Sequence, residues 1–220
     1  LTGSMAAAKG GITTFLAMPN TNPPISTVDA LEKERELAKK SIVNYGFYFA
    51  GTDESVNNIS KVKNIAGIKI FMDISTGNLK VSDDALLKKL FSGFKRIAVH
   101  AEEDKVLKAI DMIKGTGNIL YLCHISKAEE IKTIRENKIN GRVFTEVTPH
   151  HLFLNEDDAK KLSGFGMMKP ILRSKNDQKA LWKAIGEGVV DTIGTDHAPH
   201  TIEEKKSDNP PRGVPGLETM

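Results

Sequence analysis

The stretch Val189-Val190-Asp191-Thr192-Ile193-Gly194-Thr195-Asp196-His197-Ala198-Pro199-His200 decides how this chain is read. Its first half is rich in β-branched residues, which favour a strand. Gly194 then lets the backbone turn, and a segment stiffened by Pro199 presents Asp196, His197 and His200. A strand that ends by offering a carboxylate and two imidazoles has the composition of a reactive site rather than of packing.

Working outward, the same pattern repeats. Apolar runs at 11–18, 45–51, 66–72, 96–100, 118–124, 142–148 and 189–195 read as seven strands. Between them lie amphipathic stretches at 28–40, 82–91, 104–113, 127–137, 155–162 and 175–185. In these, apolar residues recur every three or four positions, and Asp or Ser often stands where a helix cap is needed. Strands alternating with helices imply a parallel sheet covered by helices. Such units close into an eight-stranded (β/α)8 barrel of the TIM type or open into a doubly wound sheet. No Gly-x-Gly-x-x-Gly follows the first strand, which weighs against the nucleotide-binding version. Seven strands, with helix-like TGSMAAAKG (2–10) before the first, predict a barrel whose leading strand is missing from the chain as given.

Bulk properties narrow the function. The chain has 220 residues and 40% hydrophobic content, enough for one substantial core, so 1–220 is expected to be a single barrel domain. A net charge of +3, with charges dispersed, offers no basic patch for nucleic acid. No run of about 18 apolar residues exists to span a membrane, and no secretory leader pattern opens the chain. A single cysteine, Cys123, excludes an internal disulfide and predicts a cytoplasmic protein.

Polar residues of the right chemistry cluster at the predicted strand ends. They are Asn20, Lys69 within the third strand, His100, His124, His150 and His151, then Asp196, His197 and His200. All six histidines are expected at strand ends and none in a helix. In a βα barrel those ends form one face, so the groups would converge. Imidazoles and carboxylates gathered in this way suit zinc with an open position for water. Cys123 is expected in the core, sent by strand alternation to the side away from His124.

The motifs DTIGTDHAPHTIEEK (191–205), TGSMAAAKGGITTFLAMPNTNPP (2–24), VHAEE (99–103), LYLCHIS (120–126), FTEVTPHHLFL (144–154) and GVPGLETM (213–220) together resemble the dihydroorotases, in the cyclic-amidohydrolase branch of the amidohydrolase superfamily. The resemblance runs in order along nearly the whole chain. It implies a βα barrel with one or two zinc ions that reversibly opens dihydroorotate to N-carbamoyl-aspartate in pyrimidine synthesis. It also implies that His100 and His124 bind the second metal, and that Lys69 is the N6-carboxylated lysine bridging two metals, with Asp73 as the fallback ligand. The chemistry is coherent, because burial favours a neutral lysine amine and such an amine can take up carbon dioxide. By the same resemblance Asp196 binds the first metal and shuttles the proton, Asn20 and His200 hold the substrate carboxylate, and His197 orients the loop or Asp196.

Three departures from the family pattern stand out. A His-x-His-x-Arg strand belongs just upstream of Thr2. HAEED runs into KVLKAIDMI where relatives have a longer excursion, so an interruption near 104–108 is expected. Lys169-Pro170-Ile171-Leu172-Arg173 stands where relatives carry an asparagine at the first position. The chain is therefore expected to be incomplete at its N-terminus and at its C-terminus after GLETM. The competing readings are an inactive dihydroorotase-like scaffold for aspartate transcarbamoylase, and a related hydantoinase or allantoinase. A homo-oligomer is compatible with all three.

Overall fold

The computed structural model describes residues 1–58, 61–74 and 79–220. Seven parallel strands form one curled sheet in sequence order: β1 (Thr14–Ala17), β2 (Asn44–Ala50), β3 (Gly67–Phe71), β4 (Arg96–His100), β5 (Ile119–Leu122), β6 (Val143–Val147) and β7 (Thr192–Ile193). Unbroken sequential order in a parallel sheet is barrel topology, and the molecule is a partial barrel of α/β class.

The helices are α1 (Thr2–Lys9), α2 (Val28–Ala38), α3 (Asp53–Val56), α4 (Asp84–Gly93), α5 (Asp104–Ile113), α6 (Ala128–Asn137), α7 (Pro149–Phe153), α8 (Glu156–Leu162), α9 (Lys175–Gly186) and α10 (Ile202–Lys205). Their starts follow capping chemistry. Asp83 accepts from the Leu86 N–H at the head of α4, and Ser174 and Asp177 form a reciprocal capping box at the head of α9. On α5 the buried residues are Val106, Ala109, Ile110 and Ile113, which is one helical face. β4 runs into α5 through Ala101, Glu102 and Glu103 alone.

The main core lies between the outer face of the sheet and this helical ring. Ile68, Ile70, Ile97, Val99, Leu120, Leu122 and Val143 pack with Leu87, Leu90, Ile110, Ile131, Ile134 and Leu181. Each such side chain contributes about 1.5–3 kcal/mol through burial. The other face of the same strands carries the chemistry. Registered parallel partners share a face, and the ladder aligns Lys69 with Ala98, Ala98 with Tyr121, and Phe71 with His100. Glu146 aligns with Thr192 on the last pair.

Two expectations change here. His150 and His151 do not sit at a strand end but inside α7, with their ring centroids 4.6 Å apart. Thr148 accepts from the His151 N–H and Pro149 occupies the first turn, so a helix begins at once after β6. Cys123 is buried as expected, yet the Lys69 amine lies near enough to act on its thiol, which puts it on the chemical face. Counting from inward Tyr121 puts Cys123 inward, and His124 joins it only because its backbone leaves the strand conformation with φ +40°.

Candidate active site

His100 and His124 form the centre of the cluster. His100 ends β4 and His124 follows β5 by two residues, and both are buried. His100 Nδ1 stands 3.1 Å from His124 Nε2. Two nitrogens each 2.0–2.1 Å from one tetrahedral zinc would stand about 3.3 Å apart, so the pair has the spacing of two metal ligands. Burial lowers the pKa of both rings, for His124 well below the ordinary value, so both are neutral and able to donate lone pairs. His124 Nδ1 is buried with no hydrogen-bond partner among the described residues.

Around this pair stands a shell that the sequence did not announce. Glu146, inside β6, accepts from the His124 N–H at 2.9 Å and from the Tyr121 hydroxyl at 2.7 Å. Burial raises its pKa in spite of those two donors. Gly194 explains itself here: a Cβ at that position would fall 2.0 Å from Glu146 Oε2, so glycine answers a close approach and not a turn. Glu102 places Oε1 3.3 Å from His100 Nε2 and 2.7 Å from Lys169 Nζ, while its Oε2 lies 2.8 Å from the Arg173 guanidinium. Burial opposes the charge, but the adjacent His100 ring and Lys169 ammonium prevail and hold the Glu102 pKa down at about 2. Lys169 and Arg173 thereby have their partner. A single clue existed for Glu146, an acidic residue in the middle of an apolar strand.

Lys69 is 2% exposed and forms no ion pair among the described residues, with its amine 5.2 Å from the centre of the Phe71 ring. Asp73 is engaged elsewhere, accepting from Lys105 Nζ at 2.5 Å and from the Glu102 N–H at 2.9 Å. Asp196 follows β7 by three residues with φ +42°. Burial, reinforced by the Glu146 charge and only partly offset by Lys69, pushes its pKa up to about 7. Asp196 and His124 thus both hold left-handed backbone, a conformation that non-glycine residues keep only where the surroundings enforce it.

The remaining predicted residues stand apart from the histidine pair. His197 Nδ1 accepts from the Gly216 and Leu217 N–H groups at 3.0 and 3.3 Å, which makes it a brace for the following segment. His200 Nε2 donates to the Arg212 carbonyl at 3.0 Å and its Nδ1 lies 3.7 Å from Glu204. Asn20 is half-buried in the segment after β1. Among the described residues, no three His, Cys, Asp or Glu side chains stand close enough to hold a metal ion. The arrangement offers a buried imidazole pair, a buried amine and a carboxylate that exchanges its proton near neutrality. These are the ingredients for hydrolysis assisted by a metal. No helix among the described residues is long and apolar enough to cross a membrane.

Comparison with known proteins agrees with this geometry. Residues 1–211 match the Amidohydrolase family. The chain is 36% identical over 225 residues to the multifunctional protein CAD of Squalus acanthias, covering 99% of this chain and 10% of that protein. It is 35% identical over 265 residues to the dihydroorotase of Methanosarcina mazei, covering 100% of this chain and 58% of the relative. Among solved structures, the L-hydantoinase (dihydropyrimidinase) of Arthrobacter aurescens superposes with a TM-score of 0.86 at 27% identity, over 99% of this chain and 58% of that one. Saccharomyces cerevisiae dihydroorotase, with a TM-score of 0.78 at 23% identity, over 98% of this chain and 70% of that one, shares the fold. The chain spans little more than half the length of the single-activity relatives it matches. A family match over nearly the whole chain, joined to a half-closed parallel barrel with imidazoles and carboxylates at one end, makes this protein a member of the amidohydrolase family.

Proposed function

We propose that this chain is the catalytic core of a dihydroorotase, a zinc-dependent hydrolase that reversibly opens the cyclic amide of dihydroorotate to N-carbamoyl-aspartate. The observation that carries the reading is the neutral, buried His100–His124 pair at ligand spacing. The choice of substrate rests on the relatives above 30% identity, of which several are dihydroorotases, whereas the hydantoinases lie at 27% identity and below.

His100, His124, Lys69 as its N6-carboxylate, and Asp196 would hold one or two zinc ions. The spacing of His100 Nδ1 and His124 Nε2 fits that role, as do neutral imidazoles and a buried amine without a counter-ion among the described residues. When bound, zinc supplies the Lewis acidity that polarises the ring carbonyl and activates water. The Asp196 carboxylate takes the proton from the attacking water. As the ring C–N bond breaks, it returns that proton to the leaving nitrogen. His200 and Asn20 hold the substrate carboxylate and so orient the ring. Glu102 fixes the His100 ring from behind, as carboxylates do for metal-bound histidines.

A second reading is favoured by the matches to multifunctional proteins: a domain that works joined to aspartate transcarbamoylase, with or without activity of its own. Turnover of dihydroorotate by the purified full-length protein, with zinc content measured alongside, separates the readings. Turnover that is lost on chelation and restored by zinc supports the dihydroorotase. Turnover of hydantoin or allantoin but not dihydroorotate overturns the substrate assignment, and absence of both metal and turnover leaves the scaffold.

A further inference from the structure

The segment after β7 contains a buried charge that the proposed chemistry does not use. Lys205, the last residue of α10, is 6% exposed. Its ammonium donates to the carbonyls of Met167 at 3.0 Å, Pro211 at 2.8 Å and Gly213 at 2.9 Å. A lysine has three donors, and three carbonyls take them all. No carboxylate pairs with Lys205 among the described residues, and burial lowers its pKa. A buried ammonium satisfied only by backbone is expensive unless the backbone it gathers has to be held in place.

Two of those carbonyls flank Arg212, and the Arg212 carbonyl is the one that accepts from His200 Nε2 at 3.0 Å. The third belongs to Met167, two residues before Lys169, and it also accepts from the Gly213 N–H at 2.9 Å. Gly213 itself holds φ +135°, and a Cβ there would fall 2.5 Å from the Ala198 carbonyl and 3.2 Å from His200 Nε2. From the other direction, Thr201 and Glu204 cap α10 reciprocally, so His200 and Lys205 sit at the two ends of one rigid turn. We propose that Lys205 is a positioning residue which, by clasping the carbonyls on either side of Arg212, sets the orientation of His200 and hence the affinity for the substrate carboxylate.

This inference rests on the dihydroorotase reading and deepens it. The test uses the full-length, zinc-loaded protein and four variants: Lys205→Met, Lys205→Gln, His200→Ala and the Lys205→Gln/His200→Ala pair. KM and kcat for dihydroorotate are measured, with calorimetric binding of N-carbamoyl-aspartate as a readout independent of turnover. Lys205→Gln keeps two donors and carries the test if Lys205→Met fails to fold. Positioning of His200 predicts a KM raised roughly tenfold with kcat nearly unchanged, weaker product binding, and a double variant no worse than His200→Ala alone. A merely structural lysine would lower kcat and melting temperature together, and its effect would multiply with that of His200→Ala. That outcome, or a KM within about twofold of wild type, overturns the inference. Absence of dihydroorotate turnover in the wild-type protein overturns the functional reading and this inference with it, and so is distinguishable from failure of the Lys205 variants alone.

Discussion

On the β3–β5 side of the barrel mouth, Lys69 stands within its strand and His100 and His124 at or just past the ends of theirs, with the apolar core directly behind them. On the β7 side, Asp196, His197 and His200 stand on a connection that returns across residues 211–217, held by carbonyls and N–H groups. The first side is rigid because packing allows its residues no alternative. The second is rigid only as long as a set of hydrogen bonds is complete. A metal needs its ligands fixed to a fraction of an ångström, which the strand side supplies for His100, His124 and Lys69, leaving Asp196 as the one proposed ligand on the other side. A substrate that must enter and leave is better read from a segment with its own, separable fastening.

Breaking the comparison at its chemical centre should give the largest effect. Asp196→Asn keeps the shape of the side chain and removes its proton exchange, so kcat should fall roughly 10²–10⁴-fold. The melting temperature should stay near that of wild type, and a variant with near-normal turnover would remove Asp196 from the mechanism. On the strand-end side, Glu102→Gln should weaken zinc binding roughly 10–100-fold in competition with a chelator, by releasing the His100 ring. It should also lower the melting temperature, because Lys169 and Arg173 lose their shared anion. On the loop side, His200→Ala should raise KM roughly tenfold through one lost hydrogen bond to a charged group. It should leave zinc affinity and melting temperature untouched; a loss of zinc there would mean the two sides are not separable.

The smallest effect tests packing alone. Burial lowers the pKa of His150 to about 3, helped by its neighbour His151. Burial lowers that of His151 to about 4, against hydrogen bonds to the Pro170 and Ile171 backbone. Both folded values lie below the unfolded 6.5, so the stability they contribute is present above pH 6.5 and is lost as the pH falls toward 4 and then 3. Between pH 7 and pH 6 each should cost about 0.7 kcal/mol, read as the difference in urea unfolding between the metal-free protein and its His150→Gln/His151→Gln variant, which cancels the contribution of His100 and His124. A flat difference across that interval would show that α7 takes up protons without opening.

How much of this was legible in the sequence follows the same division. The strands and helices were legible because two periodicities, two and three-to-four, alternate along the chain, and strand ends then predict that His100 and His124 meet. Glu146 and Glu102 were less so, because apart from the neighbouring His100 their partners lie 22 to 71 residues away, such as His124 and Arg173, and pairing at that range leaves no local pattern. The helix holding His150 and His151 had a signal, Thr148 followed by Pro149, that strand periodicity overrode. Lys205 reads as one more charge on a polar turn until its three carbonyls are seen.

The contact between Gly194 and Glu146 has a consequence for how this site can change over time. A single methyl at 194 would occupy the space of the Glu146 carboxylate. Position 146 would have to shorten before 194 could enlarge, and shortening it releases both the Tyr121 hydroxyl and the His124 N–H. The two positions are therefore coupled in one direction: 194 stays glycine for as long as the Glu146 carboxylate keeps its place. A library aimed at new substrates for this barrel should vary 194 only together with 146.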